Sequence, residues 1–136
     1  MAFRSLLAAL GAVCVLSAGA AQAQDPRPPL TAETAESRRT QYNEELRQLS
    51  SVLGGAHYLR ILCVGRQDQS WRLFMTAMLD REGGARRRDL VDAFNAGYRD
   101  MELRFPACSP DAQTQETLLK NQGARIADTL RARHSD

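Results

Sequence analysis

The chain has 136 residues, with 18 basic and 16 acidic side chains and a formal net charge of +2. That near-balance excludes the strong phosphate attraction of a nucleic-acid binder and the polybasic patch of a membrane-surface anchor. The length suits one domain with a modest core.

The first stretch reads as a signal peptide over residues 1–23. Met1 to Arg4 is a short positive start, and Ser5 to Ala18 is an apolar run rich in Leu, Ala and Val. Ala21-Gln22-Ala23 is a small-x-small cleavage site that places the cut before Gln24, with a cut before Ala21 as the alternative. The apolar run is shorter than the roughly 20 residues of a membrane span, so no stable anchor is expected after cleavage. Cys14 lies inside the run behind the bulky Val13, which makes it filler rather than a lipid-attachment site. Arg4 is the one charged residue of this segment, so its removal takes the formal charge to about +1.

Export changes the reading of the cysteines. Cys63 and Cys108 remain, and an even pair in an oxidising compartment is expected as a disulfide. It would close a loop of about 46 residues, worth roughly 4 kcal/mol on the chain-entropy model. A catalytic thiol is the competing reading, but neither cysteine sits in a CxxC pair.

Residues 24–34 carry Pro26, Pro28 and Pro29 and read as a flexible leader. Residues 35–136 read as the folded domain. The first helix is expected from Ala35 to Val64, where Tyr42, Leu46, Leu49, Leu53, Ala56 and Cys63 recur at steps of three and four. Gly54-Gly55 interrupts it. Glycine inside a helix costs about 1 kcal/mol relative to Ala, and close approach of a neighbouring helix is the preferred explanation, with a kink as the alternative. Asp68 or Ser70 is the expected cap of a second helix, which presents Trp71, Phe74, Met75, Met78 and Leu79 on one face and runs to Glu82, where Gly83-Gly84 stops it. A third helix opens in Ala85-Arg86-Arg87-Arg88 and shows Leu90, Val91, Phe94, Tyr98, Met101 and Phe105 before Pro106 ends it. The arginine run is balanced by nearby acids and reads as a solvated helix start. Ser109-Pro110-Asp111 opens a fourth helix carrying Leu118, Leu119, Ile126 and Leu130. The fold class is therefore all-α, a small up-and-down bundle of about four helices with one disulfide. In that topology the C-terminal ends of the first and third helices share one end, where the bridge fits.

At 100° per residue, Arg60 falls near the centre of the first helix's apolar stripe and His57 falls within it. A buried guanidinium needs a hydrogen-bonded partner. Levelling the first and third helices through the disulfide makes Glu102 the expected partner of Arg60. Glu82, at the far end of the second helix, is expected to meet Arg47, Arg86 or a helix N-terminus. Tyr58, Asn95, Tyr98 and Arg99 add polar groups to the same walls. Three readings stay open: a satisfied network that fixes helix register, a ligand pocket lined by Arg60, His57, Tyr98 and Asn95, or an acid–base site using His57 with Glu82 or Glu102. The ligand or interaction candidates are thus His57, Tyr58, Arg60, Glu82, Asn95, Tyr98 and Glu102. Two histidines without HxxxH, HExxH or CxxC spacing give no metal site, and no haem motif, phosphate loop or dinucleotide fingerprint implies a cofactor. The Met75, Met78 and Met101 set reads as core.

Leu53-Gly54-Gly55-Ala56-His57-Tyr58-Leu59-Arg60 with Leu62-Cys63, Trp71-Arg72 with Met75, Phe94-Asn95-Ala96-Gly97-Tyr98-Arg99, and Cys108 together resemble a family. It is the group of alphaproteobacterial secreted proteins classed as domain of unknown function 2385. The resemblance spans residues 42 to 108. It implies a small exported protein with a paired-cysteine framework and brings no activity, ligand or catalytic residue with it.

The expectation is a periplasmic, non-enzymatic binding or protein-interaction module of the cell envelope, using a groove between helices or an exposed face near His57, Tyr58 and Arg60. Its partner would be an envelope protein or a small ligand, and nucleic acid is not expected. The alternatives are a small periplasmic enzyme or ligand-binding protein using His57 and Arg60 with a carboxylate, and a purely structural polar network.

Overall fold

The computed structural model describes residues 32–134. The expected signal peptide, and the expected leader up to residue 31, lie outside the described residues. Four α-helices make up the described chain: α1 (Ala32–Cys63), α2 (Ser70–Leu79), α3 (Gly84–Arg104) and α4 (Pro110–His134). No strand occurs among the described residues. The helix α1 opens at Ala32 rather than Ala35, and the described positions up to Gln41 are exposed.

The organising element is α1, because α2, α3 and α4 all pack against it. Every residue from Val52 to Leu59 is buried, so burial here runs right round the helix rather than along one stripe. Pairings along α1 give the topology. Tyr58 meets Phe105 and Cys63 meets Cys108, so α3 runs parallel to α1. Tyr42 meets His134 and Arg60 meets Glu116, so α4 runs antiparallel. Tyr42 also meets Glu82, just beyond the end of α2. The result is the expected up-and-down bundle. Apolar side chains form two clusters, one around Leu59, Met101 and Leu119 toward the disulfide, the other around Leu46, Leu90 and Leu130 toward the opposite end.

Glycines set the spacing between α1 and α3. A Cβ on Gly54 would lie 1.9 Å from the Phe94 carbonyl oxygen, and one on Gly97 would lie 1.9 Å from the Ser51 carbonyl oxygen. The two backbones touch reciprocally, so only glycine fits at either position. Close approach, not a kink, explains Gly54. Gly55 instead faces side chains, with Met101 Cγ at 3.0 Å and Leu119 Cδ1 at 3.1 Å from its Cβ position. Ser50 is fully buried beside this seam and donates its hydroxyl to the Leu46 carbonyl at 2.9 Å, which satisfies it within its own helix.

Helix ends follow local chemistry. Asp68 Oδ1 accepts the Ser70 backbone N–H at 3.1 Å, which ties the turn before α2. The helix α2 stops at Leu79 rather than Glu82. The N–H groups of Asp80, Arg81 and Glu82 reach back to Thr76, Met78 and Leu79, and this tightened turn aims the Glu82 carboxylate inward. Gly84 opens α3 with φ of +54°, a left-handed conformation suited to glycine. The arginine run that follows is not simply solvated. Arg86 pairs with Glu82, and Arg87 donates to the Leu79 carbonyl at 2.8 Å, closing the end of α2. Ser109 Oγ accepts the Ala112 N–H at 3.1 Å and caps α4. Cys63 and Cys108 form the expected disulfide, with a Cα–Cα distance of 5.0 Å.

Candidate functional site

The polar candidates separate into three places. The first is at the far end of the bundle from the disulfide. Glu82, 9% exposed, accepts the Tyr42 hydroxyl at 2.9 Å and pairs with Arg86 at 2.6 Å, while the Arg86 guanidinium lies 5.4 Å from the Tyr42 ring centre. Burial, followed by the hydrogen bond its hydroxyl donates to the Glu82 carboxylate, raises the Tyr42 pKa above that of a free phenol. Of the three partners considered for Glu82, the structure selects Arg86. Arg47 pairs with Glu44 on the surface.

The second place lies beside the disulfide. Arg60 Nε sits 2.7 Å from Glu116 Oε1, in an ion-pair geometry that is not a linear hydrogen bond, and 3.9 Å from Asp68 Oδ2. Trp71 donates its indole N–H to the same Glu116 oxygen at 3.2 Å. Asp68 also accepts from the Ser70 hydroxyl. Its two Ser70 hydrogen bonds, then the Arg60 charge, hold its pKa below the ordinary carboxyl value. This corrects the expected Arg60–Glu102 pair. Two helices pass α1 at the level of Arg60. On α3 the residues turned inward there are Met101 and Phe105, with Glu102 exposed, whereas α4 turns Glu116 toward α1. The Arg60 side chain is one-third exposed rather than buried.

The third place is a cleft of about 410 Å³ between α2 and α3. His57, 6% exposed, is part of its lining, along with Arg72, Thr76, Phe94, Asn95 and Tyr98. The imidazole packs against Phe94 and Tyr98, with ring centres 5.9 and 6.2 Å away. Its Nδ1 is buried and has no hydrogen-bond partner among the described residues. Burial, then the Arg72 charge, lowers the His57 pKa from the ordinary imidazole value, with Asp68 acting the other way. A neutral imidazole therefore faces a cleft whose wall carries a guanidinium, an amide and a hydroxyl. The aliphatic Met75, Leu79 and Val91 make the rest of the lining.

Three of the sequence candidates, His57, Asn95 and Tyr98, thus meet in one cleft, and Arg72 takes the cationic place expected of Arg60. Glu82 and Glu102 do not join them, so neither expected acid–base pair with His57 forms. The expected exposed face near His57, Tyr58 and Arg60 is not one. Tyr58 is buried at 8% exposure and donates its hydroxyl to the Phe105 carbonyl at 2.6 Å, tying down the end of α3. Burial, then the nearby Glu102 charge, raises its pKa. Arg72 and Glu116 were the residues missed. For Glu116 a signal existed, because Ala112, Glu116, Leu119, Gly123, Ile126 and Leu130 follow one inward stripe at steps of three and four, and an acid on that stripe needs an internal partner. No group of three or more His, Cys, Asp or Glu side chains that could hold a metal occurs among the described residues, and no described helix is long and apolar enough to cross a membrane.

No curated protein and no solved structure matches the chain. A family model described as "Protein of unknown function (DUF2385)" matches residues 41–134, which extends the likeness past Cys108 through the whole of α4. With most of the bundle covered by that match, the chain belongs to this family.

Proposed function

We propose that the protein is a non-enzymatic binding module of the periplasm, and that the α2–α3 cleft over His57 is where it receives a small polar ligand. The observation that carries this is the buried, unpartnered Nδ1 of His57. A buried polar atom without a partner costs about 1–3 kcal/mol, and an apolar side chain of similar size would avoid that cost. A ligand group that hydrogen-bonds to Nδ1 offsets the cost when it docks, and Arg72 at the cleft wall favours an acidic ligand. The periplasmic part of the proposal rests on the Cys63–Cys108 bridge, a kind of bond that persists in oxidising compartments, and on the small-x-small site after the apolar N-terminal run.

The test uses ¹⁵N-labelled protein titrated with benzoate as a small acidic probe. Amide shifts should change around His57, Arg72 and Asn95. His57→Leu should abolish those changes while leaving Tm equal or higher, because it removes the stranded nitrogen and keeps the volume. Shifts that persist in His57→Leu, or that cluster away from the cleft, would reject the site. A large fall in Tm on His57→Leu would reassign His57 to packing.

A further inference from the structure

On the other side of α2 lies a second, larger concavity. It is a groove of about 760 Å³ bounded by α2 and α4, with α1 as its floor. Leu46, Leu49 and Leu53 make the floor, and Phe74, Met78 and Leu130 line the sides. Phe74 leaves 64% of its surface in solvent here, an unusual exposure for a large aromatic side chain on a helix whose neighbours Met75 and Leu79 are buried. The floor extends from Tyr42 to Ala56, which is about 21 Å of helix at 1.5 Å per residue.

The charges at this groove are unequal. Arg81 and Lys120 both line it, and neither makes an ion pair among the described residues. Glu82, the acid on the lining, is already committed to Arg86 and the Tyr42 hydroxyl. The groove therefore offers a long apolar floor with cations that make no ion pair among the described residues. Its volume falls in the range of small-molecule sites. We propose that this groove seats a single-chain anionic amphiphile, a long-chain carboxylate, with its tail on the Leu46–Leu53 floor and its head against Arg81 or Lys120. This site is separate from the His57 cleft and does not depend on it.

Trp71, the single tryptophan of the chain, lines the groove and reports on it directly. The experiment titrates the full mature protein with bromine-labelled stearate below its micelle-forming concentration and follows Trp71 fluorescence. Saturable quenching is expected. Arg81→Glu with Lys120→Glu removes the cation for either orientation of the chain and should weaken the affinity about fivefold, the yield of one exposed charge contact, with an unchanged circular dichroism spectrum. A cationic amphiphile of the same chain length should bind no better to the wild type than the anionic one binds to that double variant. Ala124→Phe, placed on the exposed rim, should block binding by filling the groove, as read by calorimetry. Absence of quenching overturns the proposal. So does binding only to phosphatidylglycerol vesicles, which would make the groove a membrane contact. A concentration-dependent dimer that excludes the stearate would assign it to a second copy of the chain and overturn the proposal too.

Discussion

The two sides of α1 are built on opposite rules. Toward α3, side chains are removed: Gly54 and Gly97 let the backbones touch, and no room remains between them. Toward α2 and α4, the same helix presents Leu46, Leu49 and Leu53, and the ten-residue α2 does not close over them against α4. One helix thus serves as a fixed seam on one side and as the floor of an open groove on the other. The lesson is that an apolar stripe of even spacing says nothing about what covers it. The size of the side chains and the length of the neighbour decide.

The seam is the place to break first. Gly54→Ala combined with Gly97→Ala would push two methyl groups into carbonyl oxygens, where overpacking alone costs about 1–3 kcal/mol per site and backbone atoms cannot yield as side chains do. Thermal unfolding of this double variant should lose its cooperative transition. Gly55→Ala, whose tight contacts are the flexible Met101 and Leu119 side chains, with the Gly97 carbonyl oxygen at an ordinary 3.4 Å, should still fold, with a Tm lowered by a few degrees. Next in size is the bridge that levels α1 and α3. Replacing Cys63 and Cys108 together by Ser should cost about 4 kcal/mol in a urea titration, on the entropy model for a 45-residue separation. Thiol labelling of the purified protein under denaturing, non-reducing conditions should find no free cysteine among these two.

Smaller effects test the groove side and the polar sites. Arg60→Met should change stability by less than about 1 kcal/mol, because the guanidinium is partly solvated and its packing against α4 is kept by the methionine. A loss of several kcal/mol would mean that the Glu116 pair is a principal clamp between α1 and α4. The smallest effect is the pH dependence of His57. Its folded pKa lies below the ordinary imidazole value of about 6.5, which the unfolded chain keeps. Between the two values the unfolded state holds the extra proton, so this contribution is complete above pH 6.5 and is lost as the pH falls toward the folded pKa. Arg72 acts in the same direction as burial, and Asp68 opposes both. Urea midpoints should fall between pH 7 and pH 5, and His57→Leu should flatten that slope. The lowered pKa of Asp68 adds a separate loss at more acid pH, below the carboxyl value of about 3.8.

Much of this architecture was legible in the residues. Steps of three and four placed the helices to within a few positions, the up-and-down topology made α1 and α3 parallel with the paired cysteines levelling them, and two glycines in a helix pointed to a close neighbour. What was not legible was which of two helices at one level faces a given side chain. The disulfide put Arg60 at the right height, but α4 crosses that height as well, and its rotation decides between Glu102 and Glu116. The same limit hid Arg72, whose approach to His57 depends on how α2 lies across α1. The open groove was hidden for a different reason, since Phe74 and Met78 carry the same spacing whether or not anything covers them.

The unbroken burial of Val52 to Leu59 has a consequence for motion. Freeing an amide there means parting α1 from α3 at the Gly54 and Gly97 contact, even where the groove leaves the other flank uncovered. Hydrogen exchange at these amides should run only through global unfolding, with protection equal to the full stability of the domain. His57 sits on that stretch, so its imidazole is carried by the longest unbroken run of buried residues in the described chain, and a ligand reaching it would meet a group already in place.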